Sequence, residues 1–179
     1  YNLVIGDEIF NLALNFKYCK VPYATVIKGN VFNGTKLNCS DSDFSSVHTL
    51  NGYTFNGVSI GVINLPKFDN SFNAYAFRGC SAEIHCDIYN DNVSYVFGQV
   101  ESPAKIYIPN MISAFGDGST ILNYFYLIQG GTEINVNYTL KTINNGNPAA
   151  DLVYAVSRGA TVNYIGQPIA LKTSELVND

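Results

Sequence analysis

The stretch that bears most directly on the fold is YTFNGVSIGVI, residues 53–63. Asn56-Gly57 separates two short apolar runs, residues 53–55 and 58–63. Asn-Gly is the preferred dipeptide of a type I′ turn, because both central residues of that turn have positive φ. The stretch therefore predicts an antiparallel hairpin.

Hydrophobic alternation extends this prediction to the rest of the chain. Apolar residues recur at every second position in residues 10–18 and 134–140, as expected for half-buried strands. Residues 121–128 are apolar at both parities, which favours a central strand covered on both faces. Only residues 147–156 and 171–177 resemble helices, and no internal repeat is apparent. The pattern predicts an all-β fold: an antiparallel β-sandwich, immunoglobulin-like or jelly roll, of about ten to twelve short strands.

The length of 179 residues is enough for one hydrophobic core. We expect a single β-sandwich domain over residues 1–165, followed by an edge strand or linker tail over residues 166–179, where Pro168 occurs and the alternation ends. The sequence starts at Tyr1, and its one methionine is Met111. This start fits a mature product cut from a signal peptide, or a fragment of a longer protein.

The charge content points to a neutral ligand. Only 13% of the residues are charged, against about a quarter in a usual soluble domain, and Asn, Ser, Thr and Gly supply the polarity instead. The formal charge is -4 and basic residues do not cluster, which argues against nucleic acid as a partner. Apolar runs fall well short of the ~20 residues that span a bilayer, so membrane insertion is not expected.

Sequence motifs for catalysis are weak. Residues 57–61 match the G-x-S-x-G pattern of serine hydrolases, but a nucleophile elbow needs a strand, a strained turn and a helix, whereas this match lies inside an alternating strand. His48 and His85 are the only histidines, and nothing pairs either of them with a nucleophile. We expect a non-enzymatic protein with no metal and no cofactor.

Four cysteines, Cys19, Cys39, Cys80 and Cys86, favour a secreted protein with two disulfides over the alternative of four free buried thiols in a cytosolic domain. A continuous strand through residues 80–86 would hold its two cysteines about 20 Å apart, which requires cross-pairing with the other two. A strand that begins only near Ile84 would allow Cys80–Cys86 and Cys19–Cys39 bonds. The short loops slightly favour this local pairing.

Loops rich in Asp, Asn and aromatic residues are the candidate binding elements. Carboxylates and amides form paired hydrogen bonds to vicinal sugar hydroxyls, and an aromatic face covers the apolar side of a sugar ring. Acidic loops also bind Ca²⁺, but neither acidic loop alone supplies six to eight ligands. The candidate ligand-binding residues are Asp41, Asp43, Phe44, Asn73, Tyr75, Phe77, Arg78, Phe115 and Asp117.

One segment carries a family resemblance. Residues 103–109, Pro-Ala-Lys-Ile-Tyr-Ile-Pro, with the loop to Gly118 and residues 121–128, resemble a late strand-loop-strand segment of the lectin domains of bacterial chaperone-usher fimbrial tip adhesins. The resemblance implies an immunoglobulin-like or elongated jelly-roll lectin domain that is exported to the periplasm, disulfide-bonded there and exposed at a fimbrial tip. It also implies binding to host glycans and a pilin domain after the lectin domain. The chain departs from the mannose-binding branch, which has a cysteine close to the mature N-terminus, so no pocket residues are carried over.

The leading hypothesis is therefore a secreted or cell-surface adhesin domain that recognises a host glycan or glycoprotein receptor. The first alternative is a viral or phage attachment domain on a virion surface, with a stalk domain after it. The second is a structural β-sandwich subunit whose edge strands bind only protein partners.

Overall fold

A computed structural model describes residues 3–65, 71–72, 74–86, 95–110, 115 and 117–166. Within this part the chain forms nine short strands, one α-helix and two 3₁₀ turns at Cys39–Asp41 and Tyr138–Lys141. The strands are β1 Leu3–Ile5, β2 Ala24–Ile27, β3 Thr49–Leu50, β4 Val62–Leu65, β5 Ser71–Phe72, β6 Glu83–Cys86, β7 Lys105–Ile108, β8 Glu133–Asn137 and β9 Thr161–Ile165; the helix is α1 Ala150–Ser157.

The strands form two parallel sheets, so the predicted antiparallel β-sandwich is wrong. One sheet has the order β1-β2-β3-β5 and the other the order β4-β6-β7-β8-β9, and every pair within them is parallel. Residues stacked on one another are 22 or 23 apart in sequence near the N-terminus, as in the Gly29–Asp7 and Asn56–Asn33 hydrogen bonds. This offset rises to 28 between Asn163 and Asn135. The chain therefore winds as a parallel β-solenoid, in which each coil contacts its neighbours.

The hairpin predicted from residues 53–63 is also wrong. The segment joins β3 to β4, which belong to different sheets, and β4 pairs with β6 instead. Gly57 has the expected positive φ of 73°, but Asn56 does not have a positive φ, so the predicted type I′ turn is wrong as well. A left-handed residue determines where the chain bends, but it does not determine which strand lies alongside.

A five-residue turn recurs in six successive coils and is the internal repeat that the alternation concealed. Its third residue is Phe, and its first and fifth residues have positive φ. The six copies, here called the Phe turns, are residues 8–12 EIFNL, 30–34 NVFNG, 53–57 YTFNG, 75–79 YAFRG, 95–99 YVFGQ and 123–127 NYFYL. Two expected strands, residues 10–18 and 121–128, are not strands, because the Phe turns of residues 8–12 and 123–127 overlap them. The helix expected near residues 147–156 is confirmed as α1, and the strand expected from Ile134 is confirmed as β8 up to Asn137.

The Phe rings form a continuous stack through the core. Successive centroids from Phe32 through Phe55, Phe77 and Phe97 to Phe125 lie 5.4 to 5.8 Å apart, and all five side chains are fully buried. Each buried Phe contributes about 1.5–3 kcal/mol through burial, and stacked pairs add about 0.5–1.5 kcal/mol. The stack therefore stabilises the packing of each coil on the next.

Backbone hydrogen bonds between the Phe turns all run in one direction. The N–H groups of Phe32 and Gly34 donate to carbonyls of the Phe turn that follows in sequence. The N–H groups of Tyr95 and Phe97 likewise donate to the Phe turn that follows theirs. A ladder of Asn side chains accompanies these bonds: Asn56 Nδ2 donates to Asn33 Oδ1 at 2.7 Å, and Asn33 Nδ2 donates to Asn11 Oδ1 at 2.8 Å. We call Asn11, Asn33 and Asn56 the asparagine ladder.

Helix α1 closes the last Phe turn. The buried Asp151 carboxylate accepts from the backbone N–H of Leu122 at 2.6 Å and of Tyr124 at 2.9 Å, and the Tyr154 hydroxyl accepts from the N–H of Leu127 at 3.2 Å. These N–H groups point where a further coil would otherwise supply carbonyls. The helix therefore caps the donor end of the stack.

Candidate functional site

The two carboxylates expected to bind a ligand, Asp41 and Asp43, lie together in a surface hollow of about 770 Å³. Asp43 reaches this position because its N–H donates to the carbonyl of Cys19 at 2.9 Å and its carbonyl accepts from Val21 at 3.0 Å. Asp41 ends a 3₁₀ turn that the Asn38 side chain caps. We call the hollow the acidic hollow; its lining is Tyr18, Lys20, Ser40, Asp41, Ser42 and Asp43.

Much of the hydrogen-bonding capacity of the acidic hollow is used internally. Asn38 Nδ2 donates to Asp41 Oδ2 at 2.7 Å, and Ser42 Oγ both donates to the Asn38 carbonyl and accepts from the Cys19 N–H at 3.0 Å. Hydrogen bonds from Ser45, together with the charge of Lys20, hold the pKa of Asp43 below its usual value. The hollow retains an anionic carboxylate and the exposed Tyr18 ring, which has 63% exposure.

A second hollow of about 620 Å³ crosses several coils beside the Phe turns. Two lines of backbone hydrogen bonds build it. Gly57 donates to the Arg78 carbonyl at 3.0 Å and Gly79 to the Gln99 carbonyl at 2.9 Å, while Ser81 donates to the Val58 carbonyl at 3.1 Å. We call it the polar groove; its lining is Asn56, Gly57, Ser59, Arg78, Gly79, Ser81, Gln99, Glu101, Leu127 and Gln129.

Most polar side chains of the groove are available to a ligand. Within the described part of the chain, five of them make no side-chain hydrogen bond and no ion pair: Ser59, Ser81, Gln99, Glu101 and Gln129. The Arg78 guanidinium lies 5.8 Å from the centroid of the Tyr53 ring. Tyr53 stacks on Tyr75 at 5.8 Å, and Tyr75 on Tyr95 at 5.4 Å, so the arginine stands at the edge of a tyrosine stack.

The outward face of the five-stranded sheet is also polar, but its groups bind one another. Glu83 contacts His85 Nε2 at 2.5 Å, and His85 stacks on Tyr107 at 4.4 Å. On the next strands Asn163 Nδ2 donates to Glu133 at 3.0 Å and to Asn135 at 3.1 Å. This network stabilises the sheet and leaves fewer groups for a ligand than the polar groove does.

The other candidate residues are dispersed. Phe44, Phe77 and Phe115 are buried in the core with at most 3% exposure, so their rings are not accessible to a ligand. Tyr75 belongs to the tyrosine stack and Arg78 to the polar groove. Asn73 lies outside the described residues. Asp117 belongs to an exposed turn, where the N–H and hydroxyl of Ser119 donate to it and lower the pKa of its carboxyl.

The structure contains no disulfide between the four cysteines, all of which it describes, so neither predicted pairing is present. All four thiols are buried. Cys86 ends the extended strand β6, which separates it from Cys80 along the chain. Burial raises the pKa of Cys80 to about 12, and burial together with the neighbouring Cys80 and Cys19 thiols raises the pKa of Cys39. The thiols behave as core residues.

The part of the chain that the structure describes has neither a clustered set of metal ligands nor a membrane-spanning helix. Its His, Cys, Asp and Glu side chains form no group of three that could hold a metal ion. None of its helices is long and apolar enough to cross a membrane.

Sequence reasoning missed most of the polar groove. Ser59, Ser81, Glu101 and Gln129 lie on different coils, and they meet only because the solenoid places them side by side. The recurring Phe of the Phe turns is the signal that identifies them, because each of these residues follows its Phe by four residues.

Compared with family models, curated proteins and solved structures, the chain matches none of them.

Proposed function

We propose that the protein is a non-catalytic, secreted or cell-surface binding module that holds an extended, neutral carbohydrate chain in the polar groove. The observation that carries the proposal is the convergence, from successive coils, of side chains whose hydrogen-bonding groups have no partner in the described part of the chain. Repeat proteins commonly use extended surfaces of this kind for binding. The groove volume of about 620 Å³ lies within the usual range for ligand sites.

The chemistry of the lining fits hydroxyl groups. Gln99 and Gln129 each supply an amide donor and an acceptor, Glu101 supplies two acceptor oxygens, and Arg78 supplies a planar set of donors. Such groups form paired hydrogen bonds to adjacent hydroxyls. One positive and one negative side chain balance each other, so the lining favours a neutral ligand over an anionic one.

The repeat of the solenoid fits a linear polymer. Adjacent strands, and therefore adjacent coils, lie about 4.8 Å apart. A hexose linked through opposite ring carbons advances by a comparable distance, which allows one sugar ring per coil. A chain that follows the solenoid axis would meet Ser81, Glu101 and Gln129 in turn.

The acidic hollow is a weaker candidate for the same ligand. Its serine hydroxyls are engaged in the backbone turn, and one oxygen of Asp41 is bound by Asn38. The resemblance to fimbrial lectin domains adds no support, because the sandwich fold that it implied is wrong.

Titration calorimetry with linear neutral oligosaccharides of increasing length, chosen from a glycan array, tests the proposal. We expect affinity to increase until the ligand spans the groove and then to level off. Gln99→Ala and Glu101→Gln should each weaken binding by about 5- to 100-fold, the loss expected from one or two hydrogen bonds. Glu8→Gln, at an exposed glutamate outside the groove lining, is the matched control and should leave affinity unchanged.

The acidic hollow supplies the decisive contrast. Asp43→Ala should not alter binding if the ligand lies in the polar groove. Loss of binding in Asp43→Ala with full binding in Gln99→Ala and Glu101→Gln would assign the ligand to the acidic hollow and overturn the proposal. A glycan screen with no binding would overturn the carbohydrate assignment itself.

A further inference from the structure

The first coil exposes a group of apolar side chains, and one of them, Ile9, occupies a position that every later Phe turn buries. Ile9, the second residue of the first Phe turn, is 57% exposed. The residues at the same position of the other five turns are fully buried: Val31, Thr54, Ala76, Val96 and Tyr124. Leu12 and Leu14 are exposed by 64% and 60%, and Leu3 and Val4 of β1 by 48% and 44%. We call Leu3, Val4, Ile9, Leu12 and Leu14 the first-coil face.

The hydrogen-bonding groups of this face have a definite polarity. In each later Phe turn, backbone carbonyls accept N–H groups of the preceding coil. The corresponding carbonyls of the first turn belong to Asp7, Ile9 and Asn11, and none of them accepts a backbone hydrogen bond within the described residues. Asn11 Oδ1 is occupied by Asn33, so the Asn11 side chain offers its N–H group at this end. The face therefore presents backbone acceptors and one amide donor around an apolar centre.

We propose that the first-coil face is the docking surface for one further coil of the same parallel solenoid, stacked on the N-terminal side of β1. Such a coil supplies backbone N–H groups at the required places, an Asn side chain that extends the asparagine ladder, and apolar groups that cover Ile9. It also supplies a parallel strand for β1, which pairs only with β2 among the described residues. The docking surface thus continues the interface that joins coil to coil throughout the structure.

A second copy of the chain could cover the first-coil face in two arrangements, and both fit less well. Face-to-face association of two first coils would place carbonyl against carbonyl and the two Asn11 N–H groups against each other. Head-to-tail association needs free N–H donors at the last Phe turn, but Asp151 and Tyr154 already bind those donors. The polarity of the Phe turns therefore favours an additional coil over self-association.

The chain contains the sequence needed to test this inference. A copy of residues 24–44 placed before residue 1 puts a Phe turn and its Asn one coil ahead of β1. We expect the extended protein to unfold in one transition with a Tm at least about 4 °C higher, because the added coil increases the free energy of unfolding. Amides of the added Phe turn should exchange their hydrogens at least about tenfold more slowly than the amides of an unstructured extension. The control is an extension of the same composition in scrambled order, which should change neither quantity.

Ile9→Lys provides a conditional test. In the unextended chain this lysine would lie on an exposed surface and should be tolerated, whereas in the extended chain it would lie under the added coil and should abolish the gain in Tm and protection. Val153→Lys, at a residue of α1 with 52% exposure, is the matched control and should leave the gain intact.

Three results would overturn the inference. The first is a native-sequence extension that behaves like the scrambled one, and the second is an Ile9→Lys change that leaves the gain intact. The third is sedimentation of the unextended chain as a dimer that Ile9→Lys dissociates, because a second copy would then be the occupant of the face.

Discussion

Asp151 is expected to be a principal determinant of stability, since it closes the donor end of the solenoid. Its carboxylate is fully buried and accepts from the N–H groups of Leu122 and Tyr124. Hydrogen bonds to a charged acceptor contribute about 1.5–3 kcal/mol each, and a buried donor left without a partner costs a similar amount. Asp151→Ala should therefore reduce the free energy of unfolding by about 3–6 kcal/mol.

That loss is large relative to the total stability of about 5–15 kcal/mol for a natural domain. For a protein of this length it corresponds to a decrease in Tm of roughly 6–24 °C. Urea denaturation followed by circular dichroism measures the change in free energy. Asp151→Asn keeps one carbonyl acceptor and should give an intermediate loss, while hydrogen exchange should show reduced protection at the Tyr124 amide in both variants.

Asp117→Ala is the matched control, because Asp117 also accepts two hydrogen bonds, both from Ser119, but is fully exposed. It should cost far less stability than Asp151→Ala, as expected for a polar contact in solvent. The cap assignment would be refuted if Asp151→Ala cost no more than Asp117→Ala.

The pH dependence of stability gives a further check on Asp151. Burial raises its pKa, and the backbone hydrogen bonds from Leu122, Tyr124 and Asn123 only partly offset that effect. A raised folded-state pKa contributes stability that is fully present below the unfolded pKa of about 3.9 and is lost as the pH rises through the folded pKa. Relative to Asp151→Asn, the unmodified protein should therefore gain stability as the pH falls towards about 4, and an opposite trend in urea denaturation would contradict this assignment.

Three further changes test the interior of the solenoid. Asn33→Ala removes both bonds of the asparagine ladder and should cost about 1–3 kcal/mol in urea denaturation; a cost near zero would show that the ladder is not stabilising. Gly61→Ala places a Cβ 2.5–2.7 Å from the neighbouring turn, whereas Gly146→Ala has the same sign of φ but open space around its Cβ. Gly61→Ala should therefore lower the free energy of unfolding by about 1–3 kcal/mol more than Gly146→Ala does. Equal losses in the two variants would exclude the clash. The Cys80 thiol, whose pKa burial raises to about 12, should react with iodoacetamide at pH 8 only after unfolding, and its contribution to stability should be lost as the pH rises above about 8.5; rapid labelling of the native protein would contradict its burial.

Sequence reasoning succeeded where the structural signal is local. The helical pattern near residues 147–156 corresponds to α1, and the alternation from Ile134 corresponds to β8. A turn with positive φ was inferred correctly at Gly57, although not at Asn56, because Asn-Gly is an intrinsic turn dipeptide. Each of these features depends on residues close together in sequence.

The pairing of strands was not accessible in the same way. Alternation shows that a strand has a buried face, but antiparallel and parallel strands satisfy it equally, and the decisive period here is 22 or 23 residues rather than two. That period was hidden because most positions of a coil vary. Only the Phe and the two left-handed positions recur, and those left-handed positions are filled by residues as different as Glu8, Tyr53 and Gln99.

The same limitation explains the uneven result for the candidate site. Asp41 and Asp43 are neighbours in sequence, and the structure keeps them together in the acidic hollow. Arg78 was identified without the residues that surround it, because Gln99 and Glu101 come from the next coil. Phe44 and Phe115 were misplaced because an aromatic residue beside an acidic loop has the same sequence signature whether it faces solvent or the core.

The polarity of the Phe turns also determines what kind of group can end the solenoid. At the last turn the unsatisfied groups are N–H donors, so a carboxylate such as Asp151 is a suitable cap. At the first turn they are carbonyl acceptors, and a carboxylate would add acceptors where donors are needed. Asp7 illustrates this point, because its side chain accepts from the Gly29 N–H within the stack at 2.8 Å. Among the described residues, the outward carbonyls of the first turn have no backbone donor. A cap for the first turn must supply N–H donors. A solenoid coil presents such donors on the side that faces the next coil, whereas an acidic helix like α1 does not supply them.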